Sequence, residues 1–197
     1  MARRLRYHVA ASLDGFIAAA DGGYDWIVSD ASIDFRALYR QFDTAIMGRK
    51  TFDAMKANGG DGSIPGLDVI VFSRTLQPVT RKAFRIVNDD PASVVADLKS
   101  RDGGDIWLFG GGALFRTLAD AGLVDSVELA VIPVLLGEGI PLLPAGRSVQ
   151  LVLGDHKVLP KSGIIALAYS VKGGVGPAPR IGYVKESKKR SKGRARA

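Results

Sequence analysis

Four short sets of residues in this chain have the types and spacing to hold an anionic ligand. They are Ser12 to Gly15, Gly48-Arg49-Lys50-Thr51, Ser73-Arg74-Thr75 and Gly110-Gly111-Gly112. Each follows a short, mostly apolar run. The last set sits inside Asp105 to Phe115, around which the chain is organised. Its glycines separate a run that reads as a buried strand from a segment in which Ala113, Leu114, Phe115, Leu118, Ala119 and Leu123 recur at roughly helical spacing. A helix start leaves backbone N–H groups unpaired, and glycine, lacking Cβ, lets the backbone close on a phosphate. Arg49 and Lys50 open a second helix, where cations oppose the helix dipole unless an anion is bound. The glycine set is not GxGxxG, and no acidic residue ends the next strand, so the doubly wound dinucleotide fingerprint is absent. A tight strand-to-helix turn with no ligand would also use glycine, so it is the convergence of the four sets that carries the reading.

Those sets need strands to bring them together. Residues 5–11 read as a first strand, continued through a turn to Ala18. A long irregular segment containing Trp26 follows. Loops of that length are usually functional. Ser32 or Asp30 can cap a helix over about 33–42, with Phe35, Leu38, Tyr39 and Phe42 on its buried face. Strands are expected at 43–47, 67–72, 84–87, 105–109 and 125–132. Helices are expected from Gly48 to about Ala57, from Pro91 to about Ser100, and after the glycine turn. Two last strands, about 149–159 and 163–171, flank a short turn and form a hairpin. The apolar strand 163–171 is expected at an open sheet edge. Strands alternating with helices argue for an α/β fold with a largely parallel sheet, whose ligands bind beyond the carboxyl ends of the strands.

Composition narrows the classes. One domain of 1–172 is expected, followed by a linker and disordered basic tail over 173–197. Residues 185–197 hold seven basic residues and one glutamate, so they carry most of the net charge of +7. The tail reads as a solvated terminus rather than as a nucleic-acid contact. No apolar stretch is long enough for a membrane span, and the expected location is the cytoplasm. The chain has no cysteine, which excludes disulfides, thiolate metal sites and a cysteine nucleophile. Its two histidines, His8 and His156, argue against a His-rich metal site.

In order and spacing these pieces resemble the dihydrofolate reductase superfamily, and more closely the branch containing the reductase half of riboflavin-biosynthesis enzymes. The matching pieces are SLDGFIA at 12–18, MGRKTF at 47–52, VFSRT at 71–75, LFGGGALF at 108–115 and PVLLGEGIPL at 133–142. The likeness runs over about 5–172. It implies a three-layer dihydrofolate reductase-like fold with a mostly parallel central sheet and an antiparallel C-terminal hairpin. It also implies NADPH as cofactor. Gly48, Arg49, Lys50, Thr51, Ser73, Arg74 and Thr75 would then hold the ribose 2′-phosphate. Gly110, Gly111, Gly112, Ala113 and Leu114 would hold the pyrophosphate, with a cis peptide between Gly110 and Gly111. Ala10, Ala11, Ile17 and Ala18 would flank the nicotinamide, and Trp26 would lie on the covering loop.

By the same resemblance, Asp34 would pair with an amino-pyrimidine edge or relay a proton, with Asp14 as its rival. Trp26, Phe35 and Leu38 would contact the substrate. A phosphorylated substrate would find Arg36, Arg40 and Lys56 as further cations. Trp26 has no neighbouring proline, unlike the covering loop of true dihydrofolate reductases, which weakens folate as substrate. The expected activity is reduction of a pyrimidine- or pterin-like heterocycle, with the phosphoribosylamino uracil of riboflavin synthesis ahead of dihydrofolate. A nucleotide-binding protein without turnover is the alternative. A homodimer formed through the C-terminal hairpin is expected.

Overall fold

A computed structural model describes residues 3–185. The basic tail beyond Lys185 lies outside the described residues. The sheet has nine strands, in the order β10-β11-β8-β1-β7-β3-β4-β6-β5. Its centre is parallel: β8 (Ser126–Ile132), β1 (Leu5–Ser12), β7 (Asp105–Gly110), β3 (Phe42–Gly48) and β4 (Asp68–Phe72) all run the same way. Beyond them lie β6 (Arg85–Val87) and β5 (Val79–Thr80), a two-residue strand too short to give a periodic signal.

Alternate residues along each central strand serve opposite faces, as the period of two requires. Ile46, Ile70, Ile106 and Leu108 face one side, against α3 (Pro91–Ser100) and α4 (Gly112–Asp120). Ala45, Met47, Val69, Val71 and Trp107 face the other, against α1 (Phe35–Tyr39) and α2 (Arg49–Ala57). With both faces covered, the strands read as continuous apolar runs. This is the expected three-layer α/β architecture.

The C-terminal hairpin is antiparallel, as expected. However, β11 (Ile164–Val171) is paired on both sides, by β8 and by β10 (Leu151–Leu159). The open edge is therefore β10, which exposes Leu151, Val152, Leu153 and Val158. The stretch from 173 does not stay outside the domain as a linker. Ile181, Tyr183 and Val184 are buried against the α1 side of the sheet. Asp34 donates its amide to the Tyr183 carbonyl, and Lys185 donates to that of Ser32. The late segment thus pairs with the chain entering α1.

α1 is shorter than expected. Asp34, rather than Ser32 or Asp30, is its N-cap, and the helix ends at Tyr39. Asp30 accepts instead from Ser32 and from the hydroxyl of Ser162 at the hairpin turn. These bonds pull its carboxyl down to about 2. Among the described residues no helix is long and apolar enough to cross a membrane, and no cluster of potential metal ligands occurs.

Candidate functional site

The crevice starts where two parallel strands part. β1 pairs with β7 only through Leu5 to Tyr7, but follows β8 as far as Ser12. Past Tyr7, the His8 carbonyl takes its hydrogen from the Trp107 indole, at 2.8 Å. β7 also carries a register shift against β3 at Phe109, just before Gly110. Such bulges re-aim side chains and are common beside active sites. The peptide between Gly110 and Gly111 is cis, as the resemblance implied.

Met47 and Gly110 are neighbours in the sheet, so α2 and α4 start side by side. Gly48 caps one and Gly111 the other, and neither makes a side-chain cap bond. By contrast, α1 and α3 are capped by the carboxylates of Asp34 and Asp90. Two adjacent helix starts therefore present free N–H groups and positive dipole ends to one place. A Cβ placed on Gly110 or Gly111 would lie 3.2 Å from the Thr51 hydroxyl, and on Gly111 also 3.8 Å from Ile17. Residues from two of the four sets thus meet at one turn, with Ile17, just past a third, beside them.

The fourth set joins through Arg49, whose Nη1 donates to the Thr75 hydroxyl at 2.5 Å while its Nε pairs with Asp53. The Ser73 hydroxyl accepts the amides of Thr75 and Leu76, which shapes that turn. Asn88, which the sequence did not single out, braces it by donating to the carbonyls of Ser73 and Leu76. Lys50 and Arg74 are exposed and have no carboxylate partner among the described residues. Uncapped amides, glycines and surplus cations fit a phosphorylated dinucleotide.

A small second sheet closes over the glycine turn. β2 (Phe16–Ala18) pairs with β9 (Ile140–Pro141), and Leu142 donates to the Gly15 carbonyl. The fit is tight: a Cβ on Gly112 would stand 2.4 Å from the Pro141 carbonyl oxygen. Because that obstacle is backbone, Gly112→Ala should destabilise the protein by about 1–3 kcal/mol, the usual range for overpacking. A Cβ on Gly48 meets nothing within 4 Å, so Gly48→Ala is the comparison in thermal melts.

Asp14 belongs to this closure. It accepts from the Ser12 hydroxyl at 2.6 Å and from the amides of Leu136 and Gly137. The Ser12 bond first, then the Gly137 amide, hold its carboxyl below the usual range. It ties the loop after β1 to the loop after β8. Asp34 caps α1 through the Ala37 amide, which lowers its carboxyl as well. No hydrogen bond joins the two carboxylates among the described residues. Ala11 is buried at the end of β1, and in α4 Leu114 is buried while Ala113 is exposed.

Of the expected substrate contacts, Leu38 is core and Phe35 is open rather than on the buried face. Trp26 packs against the core, and its buried Nε1 has no hydrogen-bond partner among the described residues. The sequence reading had no means of finding the aromatic wall beside them. Trp107 lies 5.1 Å from Phe109, 5.7 Å from Tyr39 and 5.2 Å from Phe42, ring centre to ring centre. Beneath it, His8 Nε2 meets the Tyr183 hydroxyl at 3.0 Å. Burial pushes the His8 imidazole below its ordinary value.

Known proteins resemble this chain in sequence and in fold. A family model described as the RibD C-terminal domain matches residues 3–162. The uncharacterized protein YyaP of Bacillus subtilis is 33% identical over 183 residues, covering 87% of this chain and 96% of its own. The riboflavin biosynthesis protein RibD of Mycobacterium tuberculosis is 32% identical over 142 residues, 65% of this chain but only 41% of that protein. Among solved structures, a Shewanella protein assigned to riboflavin biosynthesis superposes with a TM-score of 0.73 at 26% identity, covering 87% of this chain and 99% of its own. Dihydrofolate reductase of Enterococcus faecalis, solved with NADP(H), shares the fold with a TM-score of 0.62 at 18% identity, covering 85% and 94%.

Proposed function

The chain belongs to the RibD C-terminal domain family, and from that premise we propose that it is an NADPH-dependent reductase of a pyrimidine- or pterin-like heterocycle. The observation that carries the reading is the meeting of the Gly48, Ser73 and Gly110 sets around two uncapped helix starts, with Gly15 tied over them through Leu142. Bound NADPH would supply a hydride to a C=N or C=O carbon of the substrate. Gly111 to Leu114 offer amides to its pyrophosphate, and Arg49, Lys50 and Arg74 hold the 2′-phosphate with Thr51, Ser73 and Thr75. Ala11 and Ile17 flank the reacting ring, and the β2–β9 closure excludes water.

Asp34 and Asp14 are both held below the ordinary carboxylate range, so both are anions at neutral pH. An anion accepts hydrogen bonds. Asp34 therefore suits the amino edge of a pyrimidine, with water delivering the proton, while Asp14 positions the closing loops. Trp26, whose indole N–H has no partner among the described residues, and the open ring of Phe35 complete the substrate side. The phosphoribosylamino uracil of riboflavin synthesis is the leading substrate and dihydrofolate the second. Cytoplasmic location and a homodimer joined along the apolar edge of β10 belong to the same reading, and light scattering tests the latter.

The decisive measurement is NADPH oxidation against a panel of aminopyrimidine ribosylamino phosphates and dihydropterins, with NADH alongside. Turnover of a panel member with NADPH preferred is expected. Tight NADPH binding with no turnover of any member would leave a nucleotide-binding protein in its place.

A further inference from the structure

Asp34 sits at the start of a helix too short to place it. α1 has five residues, and a helix of that length does not hold its own shape. The Asp34 carboxylate accepts the Ala37 amide, but the backbone N–H of Asp34 needs an acceptor as well. In a capping box that acceptor is a Glu or Gln side chain at the third helical position. Here the third position is Ala37, and the Tyr183 carbonyl takes the bond instead, at 2.7 Å. Ile33, just before, forms an antiparallel bridge with Val184.

The strap that brings Tyr183 there has a defined route. After β11 it crosses β10 at the bulge between Leu153 and Asp155, where a Cβ on Gly154 would collide with that of Ala178. The Asp155 carboxylate then accepts the Ile181 amide at 2.9 Å. Ala166 and Ala168 on β11 share the buried cluster of Ile181, Tyr183 and Val184, and side chains that small leave room for the strap. Tyr183 is 4% exposed, and its hydroxyl meets His8 Nε2 at 3.0 Å. His8 lies edge-on to Trp107, 5.8 Å between ring centres, and its carbonyl accepts the Trp107 indole N–H. One residue therefore joins the Asp34 backbone to the strand beside the aromatic wall. The family match ends at residue 162, so this joint lies beyond it.

We infer that Tyr183 is a positioning residue for Asp34. Through its carbonyl and its hydroxyl it fixes the Asp34 carboxylate relative to Trp107, and so sets how the substrate ring is presented to the hydride. This rests on the reading of Asp34 as the group that accepts the substrate's amino edge. Misplacement by about 1 Å can cost roughly 100-fold in rate. The test is Tyr183→Phe, which keeps the ring and loses the anchor to His8, in the native and Asp34→Asn backgrounds. Asn also caps helices, so that background keeps its fold. In Tyr183→Phe the Asp34 amide should exchange its hydrogen about tenfold faster, because the local opening it reports becomes easier. For the panel member that is turned over, kcat/KM should fall about tenfold in the native background and by less than about twofold in Asp34→Asn, with NADPH affinity unchanged. A purely structural Tyr183 would lower both backgrounds alike. That equal fall, or unchanged exchange at Asp34, overturns the inference. Exchange is read without substrate, so it still decides the joint if the native chain turns over no panel member, a result that sinks the reductase reading separately.

Discussion

With Arg49 and Arg74 both changed to alanine, NADPH affinity should fall at least about 100-fold while NADH affinity stays the same. The two side chains leave neighbouring strand ends, and Arg49 is already fixed over the second by its bond to Thr75. Each hydrogen bond to a charged group is worth about 1.5–3 kcal/mol, and every 1.4 kcal/mol is tenfold in affinity. NADH lacks the extra phosphate, so it never makes these bonds. Fluorescence titration of both cofactors measures the contrast. Equal loss for both would mean that the arginines act on the pyrophosphate or on the fold. Equal affinity of the native chain for both would end the 2′-phosphate assignment.

The largest expected loss of stability follows from Glu128→Leu. Arg6 and Glu128 are each almost wholly buried and meet through two hydrogen bonds, at 2.8 and 2.6 Å. Ser126, Asp105 and Gln41 satisfy what remains, and the guanidinium lies 4.5 Å from the centre of the Phe42 ring. Burial alone would push the Glu128 carboxyl up, but the bonds from Arg6 hold it below its ordinary value. Removing the carboxylate leaves the buried Arg6 guanidinium with only the longer Asp105 ion pair, at 3.2 Å, and should cost about 3–5 kcal/mol, the range for breaking a buried pair. Arg6→Met together with Glu128→Leu should recover much of that, because neither charge is then left alone.

The pH dependence follows from the same pair. A depressed carboxyl adds stability that is complete above its unfolded value, near 4.5, and is lost as pH falls through the folded value. Denaturant melts of the native and double-variant proteins should differ most in slope below that pH. If Glu128→Leu alone costs under 1 kcal/mol, the pair is not the keystone that its burial implies.

What the sequence revealed depended on how local the signal was. The four ligand sets stood out because glycines, hydroxyls and cations follow short apolar strands, a pattern written within a few residues. The pairing of β2 with β9 was hidden, since strands of three and two residues carry no period and lie more than a hundred positions apart. The Arg6–Glu128 pair, 122 residues apart, left no local trace either. In 173–185, glycine and proline masked a core segment. The alternation of Ile181 and Tyr183 was the available clue. Asp14 stood out through the SLDG piece, and only the folded chain shows that its carboxylate accepts the amides of Leu136 and Gly137 from a loop far along the sequence.

The burial of Tyr183 and Val184 bears on how the molecule is made. The residue that meets His8 from below and the backbone that pairs with Ile33 both come near the end of the described chain. A ribosome therefore delivers the helix bearing Asp34 long before it delivers the piece that locks that helix. Until residues 181–184 have emerged and packed, the core around Trp107 has no finished floor. A chain cut short before residue 181 would lack that floor.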